Sequence, residues 1–251
     1  MGQTSLPVEK QFESIRTCTY TTDHYMFHYQ PGSLAEQAIK DIASQQEQAF
    51  SAICDKLQVK YPERIHYYFT DSPLEIGSMF WGEGAYCNGC AIYGDHKIYA
   101  VYNEEIKCIG AHEDTHLISY LIGIPISDFI TEGLAMYFHE RWWGRPNEEW
   151  AAYYKSKHPQ LSIEKLLDNV CFDQYGCTMT YPIAGAFTKF IIDTYGIERY
   201  IASYRYKGTE YGREIESIYG VLLKDLEDSF CKEMISVSFD SAQLEDMLSS
   251  C

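Results

Sequence analysis

Residues 112–116 place two histidines and a glutamate at a spacing that suits metal chemistry. They are His112, Glu113 and His116, in the pattern His-Glu-x-x-His. On a helix with about 3.6 residues per turn, side chains four positions apart leave the same face one turn apart. Both imidazoles can then reach one ion at about 2.0–2.1 Å each. Glu113 would stand beside that ion, where its carboxylate can take a proton from a metal-bound water.

A third ligand is needed, because catalytic zinc commonly holds three protein ligands and leaves a fourth place for water. Glu132 follows His116 by sixteen positions, at the start of the next predicted helix. The break at residues 123–125 would let that helix fold back on the first. The neighbours of Glu132 are largely apolar, and a carboxylate in such a stretch needs a partner. We therefore predict one zinc ion per chain, held by the two histidines and Glu132; the alternatives are hydrogen-bonded histidines without metal and a solvated glutamate.

Two segments together resemble a family of peptidases. His-Glu-Asp-Thr-His at 112–116 and Thr-Glu-Gly-Leu-Ala at 131–135 are similar to the gluzincin metallopeptidases, which include the thermolysin and aminopeptidase-N groups and the peptidase-MA-like proteins. The likeness covers residues 105–142 and extends more weakly to the C-terminal helices. It implies three zinc ligands, His112, His116 and Glu132, and it implies Glu113 as general base. It also implies a tyrosine that supports the oxyanion, for which Tyr181 is the match.

The chain departs from these groups at several points. The strand Gly-x-Met-x-Asn, which binds the substrate amine in the aminopeptidase-N type, is absent, so an exopeptidase is not supported. The thermolysin type has an aspartate four residues after the ligand glutamate, where this chain has Met136. The hydrogen-bond partners of the ligand histidines are therefore unassigned. Asp128 is a candidate for that role, and a helix cap is the competing interpretation.

These features predict zinc-dependent hydrolysis of peptide bonds by an endopeptidase, with a peptide or protein as substrate. Two alternatives remain at this point. One is a zinc-binding gluzincin-fold protein that binds peptides without cleaving them, and the other is a zinc hydrolase of a non-peptide substrate. The sequence indicates neither the cleavage preference nor the oligomeric state.

Charge and hydropathy narrow the possible partners. The chain of 251 residues has a formal net charge of −16, and such a surface repels a nucleic-acid backbone. No stretch reaches the length of a membrane span, so we predict no membrane-spanning segment. Residues 1–10 lack the basic start and apolar stretch of a signal peptide. The sequence as it stands suggests the cytoplasm, whereas a removed leader would mean an extracytoplasmic protein.

The nine cysteines do not decide whether the protein resides in a reducing or an oxidising compartment. An odd, scattered set is more typical of a reduced chain than of a disulfide framework. Cys87 and Cys90 form a Cys-x-x-Cys pair, and Cys171 and Cys177 bracket an aromatic loop. Each pair is predicted to be either a disulfide or two free thiols.

The helices and strands predicted from the sequence, which must position the candidate zinc ligands, indicate an α+β fold. A mixed strand and helix lobe over residues 1–103 would pack on a helical lobe over residues 104–251, with the zinc site in the cleft between them, as in gluzincins. Strands are predicted at 24–29, 65–70 and 97–102 from their aromatic and β-branched residues. The last of these is predicted either as an edge strand that pairs with an extended peptide or as a buried strand.

The remaining segments are assigned from periodicity and from turn residues. A polar lead-in over 1–16 and a Gly-rich loop over 82–96 are predicted to lack regular structure. Ser33 is predicted to cap the helix that follows it. Further helices are predicted at 104–122, 127–142, 161–168, 182–195, 197–204, 211–218 and 221–236.

Overall fold

A computed structural model describes residues 8–208 and 210–249 of the chain. Contacts between α-carbons divide it into two compact units, one that ends at Leu121 and one that begins at Ile122. The first unit combines a small sheet with helices, and the second is almost entirely helical, which confirms the predicted α+β class. The predicted boundary lay between residues 103 and 104. The structural division places the segment with His112 and His116 in the same unit as the sheet. A gluzincin-type cleft around the site stays a prediction.

The first unit, over its described residues, consists of five strands and four helices. In chain order these are α1 (Val8–Ser14), β1 (Cys18–Thr21), β2 (Tyr25–Tyr29), α2 (Leu34–Leu57), β3 (Ile65–Thr70), α3 (Pro73–Phe80), β4 (Gly89–Ile92), β5 (Lys97–Val101) and α4 (Ala111–Ser119). The strands form one sheet in the order β1-β2-β3-β5-β4. The three central strands run parallel, and the two outer pairs are antiparallel.

Strand β5 is an interior strand, because β3 and β4 pair with it on opposite sides. The prediction of an edge strand at residues 97–102 is therefore wrong, and the buried alternative is confirmed. The edge on this side of the sheet is formed by β4, within a segment that the sequence predicted to be a loop. Strand β4 has only four residues, two of them small, and each is partly exposed. It therefore lacks the alternating apolar pattern by which a strand is recognised.

Helix α2 shows how apolar periodicity builds the first unit. Its buried face includes Ile39, Ile42 and Ile53. As predicted, Ser33 caps the helix, since its side chain accepts a hydrogen bond from the N–H of Glu36. One buried residue on this apolar face is polar. It is Gln46, which is 0% exposed.

Two segments of the first unit differ from the prediction. Helix α1 occupies part of the predicted lead-in, and Arg16, which follows it, donates a hydrogen bond of 2.6 Å from Nε to Phe69 O. Residues 1–7 lie outside the described residues, as does most of the stretch used to predict the absence of a signal peptide. Residues 104–110 are not helical, because Oδ1 of Asn103 accepts hydrogen bonds from the backbone N–H groups of Glu105 and Ile106. These bonds offer the backbone a turn in place of a helix.

The second unit is built around two packed helices. Its elements are α5 (Asp128–His139), β6 (Arg141–Trp142), β7 (Arg145–Pro146), α6 (Asn147–Lys157), α7 (Ile163–Leu166), α8 (Asn169–Tyr175), α9 (Cys177–Tyr195), α10 (Ile197–Tyr204), α11 (Tyr211–Tyr219), α12 (Leu223–Ser236) and α13 (Ser241–Ser249). The helices predicted in this region are all present, with shifted ends, whereas α6, α8 and α13 were missed. Among the described residues, no helix has both the length and the apolar character needed to cross a membrane.

Gly133 explains how closely α5 and α9 pack. A β-carbon added to Gly133 would lie 2.4 Å from Oγ1 of Thr188 and 3.1 Å from the carbonyl oxygen of Ala184. Both distances are below a normal van der Waals contact, so only glycine allows this approach. The packing fixes the axial position of α5, and with it the backbone of the neighbouring Glu132.

Candidate metal centre

Helix α4 carries His112 and His116 on one face. The helix begins after Gly110, whose φ of 97° is a conformation that glycine adopts readily and other residues rarely do. The imidazole rings of the two histidines stand nearly perpendicular, at 84°, with centroids 4.9 Å apart. Their Nε2 atoms lie 3.3 Å apart. The predicted convergence of the two side chains is therefore present in the structure.

The distance between the two Nε2 atoms can be compared with that in a zinc site. Two nitrogens that are each about 2.0–2.1 Å from a tetrahedral ion lie about 3.3–3.4 Å from one another. The observed separation of 3.3 Å has this value. The two imidazoles of α4 therefore fit adjacent corners of a tetrahedral coordination sphere.

Glu132 completes a group of three possible ligands. One ligand atom from each of His112, His116 and Glu132 lies within 4.8 Å of the other two. All three side chains are partly buried. Two imidazoles and one carboxylate are the donor set of one type of catalytic zinc site with an open coordination position. No other group of this kind, with three or more possible ligands, occurs among the residues that the structure describes.

Glu113 lies beside these histidines and packs against the edge strand β4. It is 8% exposed. A β-carbon built on Gly89 would lie 2.5 Å from Oε1 of Glu113 and 2.5 Å from Sγ of Cys108. The absence of a side chain at Gly89 therefore creates the space in which the carboxylate of Glu113 is held.

Tyr181 and Glu132 line one cavity in the second unit. Its volume is about 210 Å³, and the other lining residues are Asp128, Phe172, Asp173, Cys177 and Thr180. The ring of Tyr181 stacks on Phe172 at a centroid distance of 6.0 Å. The tyrosine chosen from the family resemblance thus shares a cavity with the predicted ligand glutamate.

Asp128 is the first residue of α5, and the helix is preceded by Ser127 at the cap position. The Ser127 side chain makes no capping hydrogen bond and instead donates to the carbonyl oxygen of Leu167 at 2.9 Å. Burial and the nearby carboxylates of Asp173 and Glu132 raise the pKa of Asp128. The predicted helix cap at Asp128 is wrong, because the residue lies inside α5, where it lines the cavity beside Glu132. Its role as a partner of a ligand histidine stays a prediction.

A buried polar network behind α4 was not foreseen from the sequence. Asp114, between the two histidines, is 0% exposed and accepts hydrogen bonds from the Tyr25 hydroxyl and from Nε2 of Gln46. Burial raises the pKa of Asp114 well above the usual range of a carboxyl group. The sequence feature that could have revealed this network is Gln46, because it is a polar residue on the apolar face of α2.

The paired cysteines are free thiols in the structure. Burial and the nearby carboxylate of Glu113 raise the pKa of Cys87 to about 11 and that of Cys90 to about 12. Such thiols remain protonated and weakly nucleophilic at neutral pH. Cys171 and Cys177 are also free. Of the two predicted alternatives, the structure has the free thiols in both pairs.

Two comparisons with known proteins found no match to the chain. No family model matches the chain, and no curated protein matches it. The functional argument therefore depends on the residues of the site and on their geometry.

Proposed function

We propose that this chain is a zinc-dependent endopeptidase of the gluzincin type. The observation that carries the proposal is the group formed by His112, His116 and Glu132. Its donor types and the 3.3 Å separation of the Nε2 atoms both suit zinc. Magnesium and calcium are disfavoured, because these ions prefer oxygen ligands.

The proposed chemistry needs a base beside the metal, and Glu113 is adjacent to His112 in the helix. When bound, zinc supplies Lewis acidity that polarises the scissile carbonyl and makes an attacking water more acidic. The carboxylate of Glu113 accepts a proton from that water and then delivers it to the leaving amine. The carboxylate of Glu113 packs against Gly89, which limits the motion of the side chain. Its orientation is therefore set before substrate binds.

Tyr181 is proposed to donate a hydrogen bond from its hydroxyl to the developing oxyanion. Supporting this role, Tyr181 lines the same cavity as Glu132. Its ring packs against Phe172 and Trp142, at centroid distances of 6.0 and 5.7 Å. These contacts restrict the ring, which favours a fixed direction for the hydroxyl.

Strand β4 is proposed to bind the substrate backbone. It is one of the two edge strands of the sheet, so that one of its sides faces no other strand among the described residues. An extended peptide can add to such an edge through main-chain hydrogen bonds. Gly89 of β4 lies against the carboxylate of Glu113, so a peptide added here would pass close to the proposed base.

Metal analysis combined with Glu113→Gln tests the proposal. We expect about one zinc per chain in both proteins and loss of peptide hydrolysis in the variant, since the amide cannot accept the proton. Glu132→Gln should weaken zinc binding, because a neutral amide is a poorer ligand than a carboxylate. His139→Ala is the matched control, since His139 lies on the same helix as Glu132, is exposed and is not in the ligand group.

The outcomes separate the candidate functions. Absence of zinc from the native chain would contradict the whole assignment. Zinc without cleavage across a broad peptide library, but with measurable peptide binding, would favour a binding protein that has the fold of a peptidase. Zinc-dependent hydrolysis of esters or amides without hydrolysis of peptides would indicate a non-peptide substrate.

A further inference from the structure

Gln46 of α2 contacts the start of α4 through both ends of its side-chain amide. Its Oε1 accepts a hydrogen bond from the backbone N–H of Gly110, and its Nε2 donates to the carbonyl oxygen of Gly110 at 3.2 Å. Gly110 immediately precedes α4 and has no side chain with which to cap the helix. The amide of Gln46 thus holds the residue from which the helix begins.

The same amide also contacts α4 one turn further on. Nε2 of Gln46 donates to Oδ2 of Asp114 at 3.0 Å, and the hydroxyl of Tyr25 donates to the same oxygen. Tyr25 is on β2, so that helix α2 and the sheet both hold this carboxyl group. Gln46, Asp114 and Tyr25 are each 0% exposed.

This arrangement is costly for the folded state. Oδ1 of Asp114 is buried without a hydrogen-bond partner in the described part of the chain, and burial of such an atom is unfavourable. Apolar residues of similar volume would commonly give equal or greater stability. Contacts at Gly110, which precedes α4, and at Asp114, one turn further on, fix both the axial position and the rotation of this helix. An apolar interface restrains both less well, because its contacts have no preferred direction.

We propose that Gln46 and Asp114 are positioning residues for the metal centre, a role that rests on the proposed function. Asp114 lies between the two ligand histidines along α4, so any rotation of Asp114 about the helix axis moves His112 and His116 with it. Zinc sites tolerate deviations of about 0.2 Å in ligand distances. The network of Gln46, Asp114 and Tyr25 therefore holds the two Nε2 atoms where they can share one ion with Glu132.

Gln46→Met tests this role, because methionine has a similar volume but neither donates to nor accepts from Gly110 and Asp114. Zinc affinity is measured at neutral pH by competition with a chromophoric chelator, at a temperature at which every variant is folded. We expect a loss of affinity of about tenfold or more, the size found when groups that orient metal ligands are removed. Tyr25→Phe, which removes a single donor, should give a smaller loss.

Ile53→Ala is the control for a general loss of stability. Ile53 is on the same helix as Gln46 and is 0% exposed, but makes no hydrogen bond to α4 through its side chain. The Ile53→Ala variant should unfold at a lower temperature than the native protein and yet retain the native zinc affinity. The visible absorption of bound Co²⁺ provides a second measurement, which should change in Gln46→Met and remain native in Ile53→Ala.

Native affinity in Gln46→Met, or an equal loss in Ile53→Ala, would overturn the positioning role while the proposed function stands. If Gln46→Met does not fold, the affinity of Tyr25→Phe decides, and a native value there overturns the role. Failure of the native chain to bind zinc would instead contradict the proposed function itself, and this inference with it.

Discussion

The carboxylate of Glu113 lies against the bare α-carbon of Gly89, in space that a single β-carbon at residue 89 would fill. That β-carbon would be 2.5 Å from Oε1 of Glu113. The contact joins the proposed base on α4 to the edge strand β4, which the sequence did not reveal.

Gly89→Ala is expected to displace Glu113 and to lower kcat by about a hundredfold, the lower end of the range for loss of a positioned proton acceptor. Zinc content should stay at one per chain, because the atoms nearest to the added β-carbon belong to Cys108 and Glu113 and not to the ligand histidines. Steady-state kinetics with metal analysis provide the measurement. Since the new methyl group would also meet Sγ of Cys108, Gly89→Ala combined with Cys108→Ala is the control. Recovery of turnover in that double variant would show that the thiol, and not Glu113, is responsible.

Tyr181→Phe should lower kcat by about a hundredfold or more, the lower end of the range for removal of one oxyanion donor. KM and zinc content should change little, because the aromatic ring that packs on Phe172 is retained. The matched control is Tyr175→Phe, which removes a hydroxyl from a residue outside the cavity lining. Native turnover in Tyr181→Phe would exclude this hydroxyl from the mechanism.

Gly133→Ala is expected to destabilise the chain and to weaken zinc binding together. The added β-carbon would meet Thr188 at 2.4 Å, and overpacking of this kind costs about 1–3 kcal/mol of unfolding free energy. Helix α5 would have to move away from α9, which displaces Glu132. Adding Thr188→Ala, which removes the contacted hydroxyl, should recover part of both losses. Denaturant unfolding and chelator competition measure the two effects, and an unchanged unfolding free energy would contradict the close packing.

A histidine pair on the sheet predicts how stability depends on pH. Nε2 of His28 lies 3.1 Å from Nδ1 of His66, and His28 stacks on Tyr68 at 4.3 Å. Burial, followed by the nearby His66, lowers the pKa of His28 to about 4. Glu13 and Lys97 also act on His28, in opposite directions. The pKa of His66 is lowered as well, chiefly by burial.

Between about pH 6.5 and pH 4 the unfolded chain therefore binds more protons than the folded chain, and stability increases with pH across this window. His28→Phe, which keeps a ring to stack on Tyr68, should flatten that dependence by an amount on the order of 2 kcal/mol, less than the full pKa difference would give because solvent screens this partly exposed ring. Urea unfolding at several pH values measures it. A chelator is present throughout, so that release of zinc on protonation of the ligand histidines does not contribute. An equal slope in native and variant proteins would contradict the assignment, and His139→Phe serves as the control.

The local signals in the sequence identified the three side chains that the structure groups together as possible metal ligands. The His-Glu-x-x-His spacing is a property of a single helix, and its geometry depends on little beyond the residues between His112 and His116. The class of the fold followed from the separation of aromatic strands from periodic helices.

Long-range pairing decided what the sequence left open. Strand β5 was ambiguous between edge and interior, because its partners on either side are contributed by β3 and by the weakly patterned β4. The network of Gln46, Asp114 and Tyr25 joins residues separated by 68 and 89 positions, so no local spacing could reveal it. The sequence by itself determined which side chains could bind a metal ion. Tertiary structure decided which residues contact the helix that carries two of those side chains, because such contacts form between segments distant along the chain.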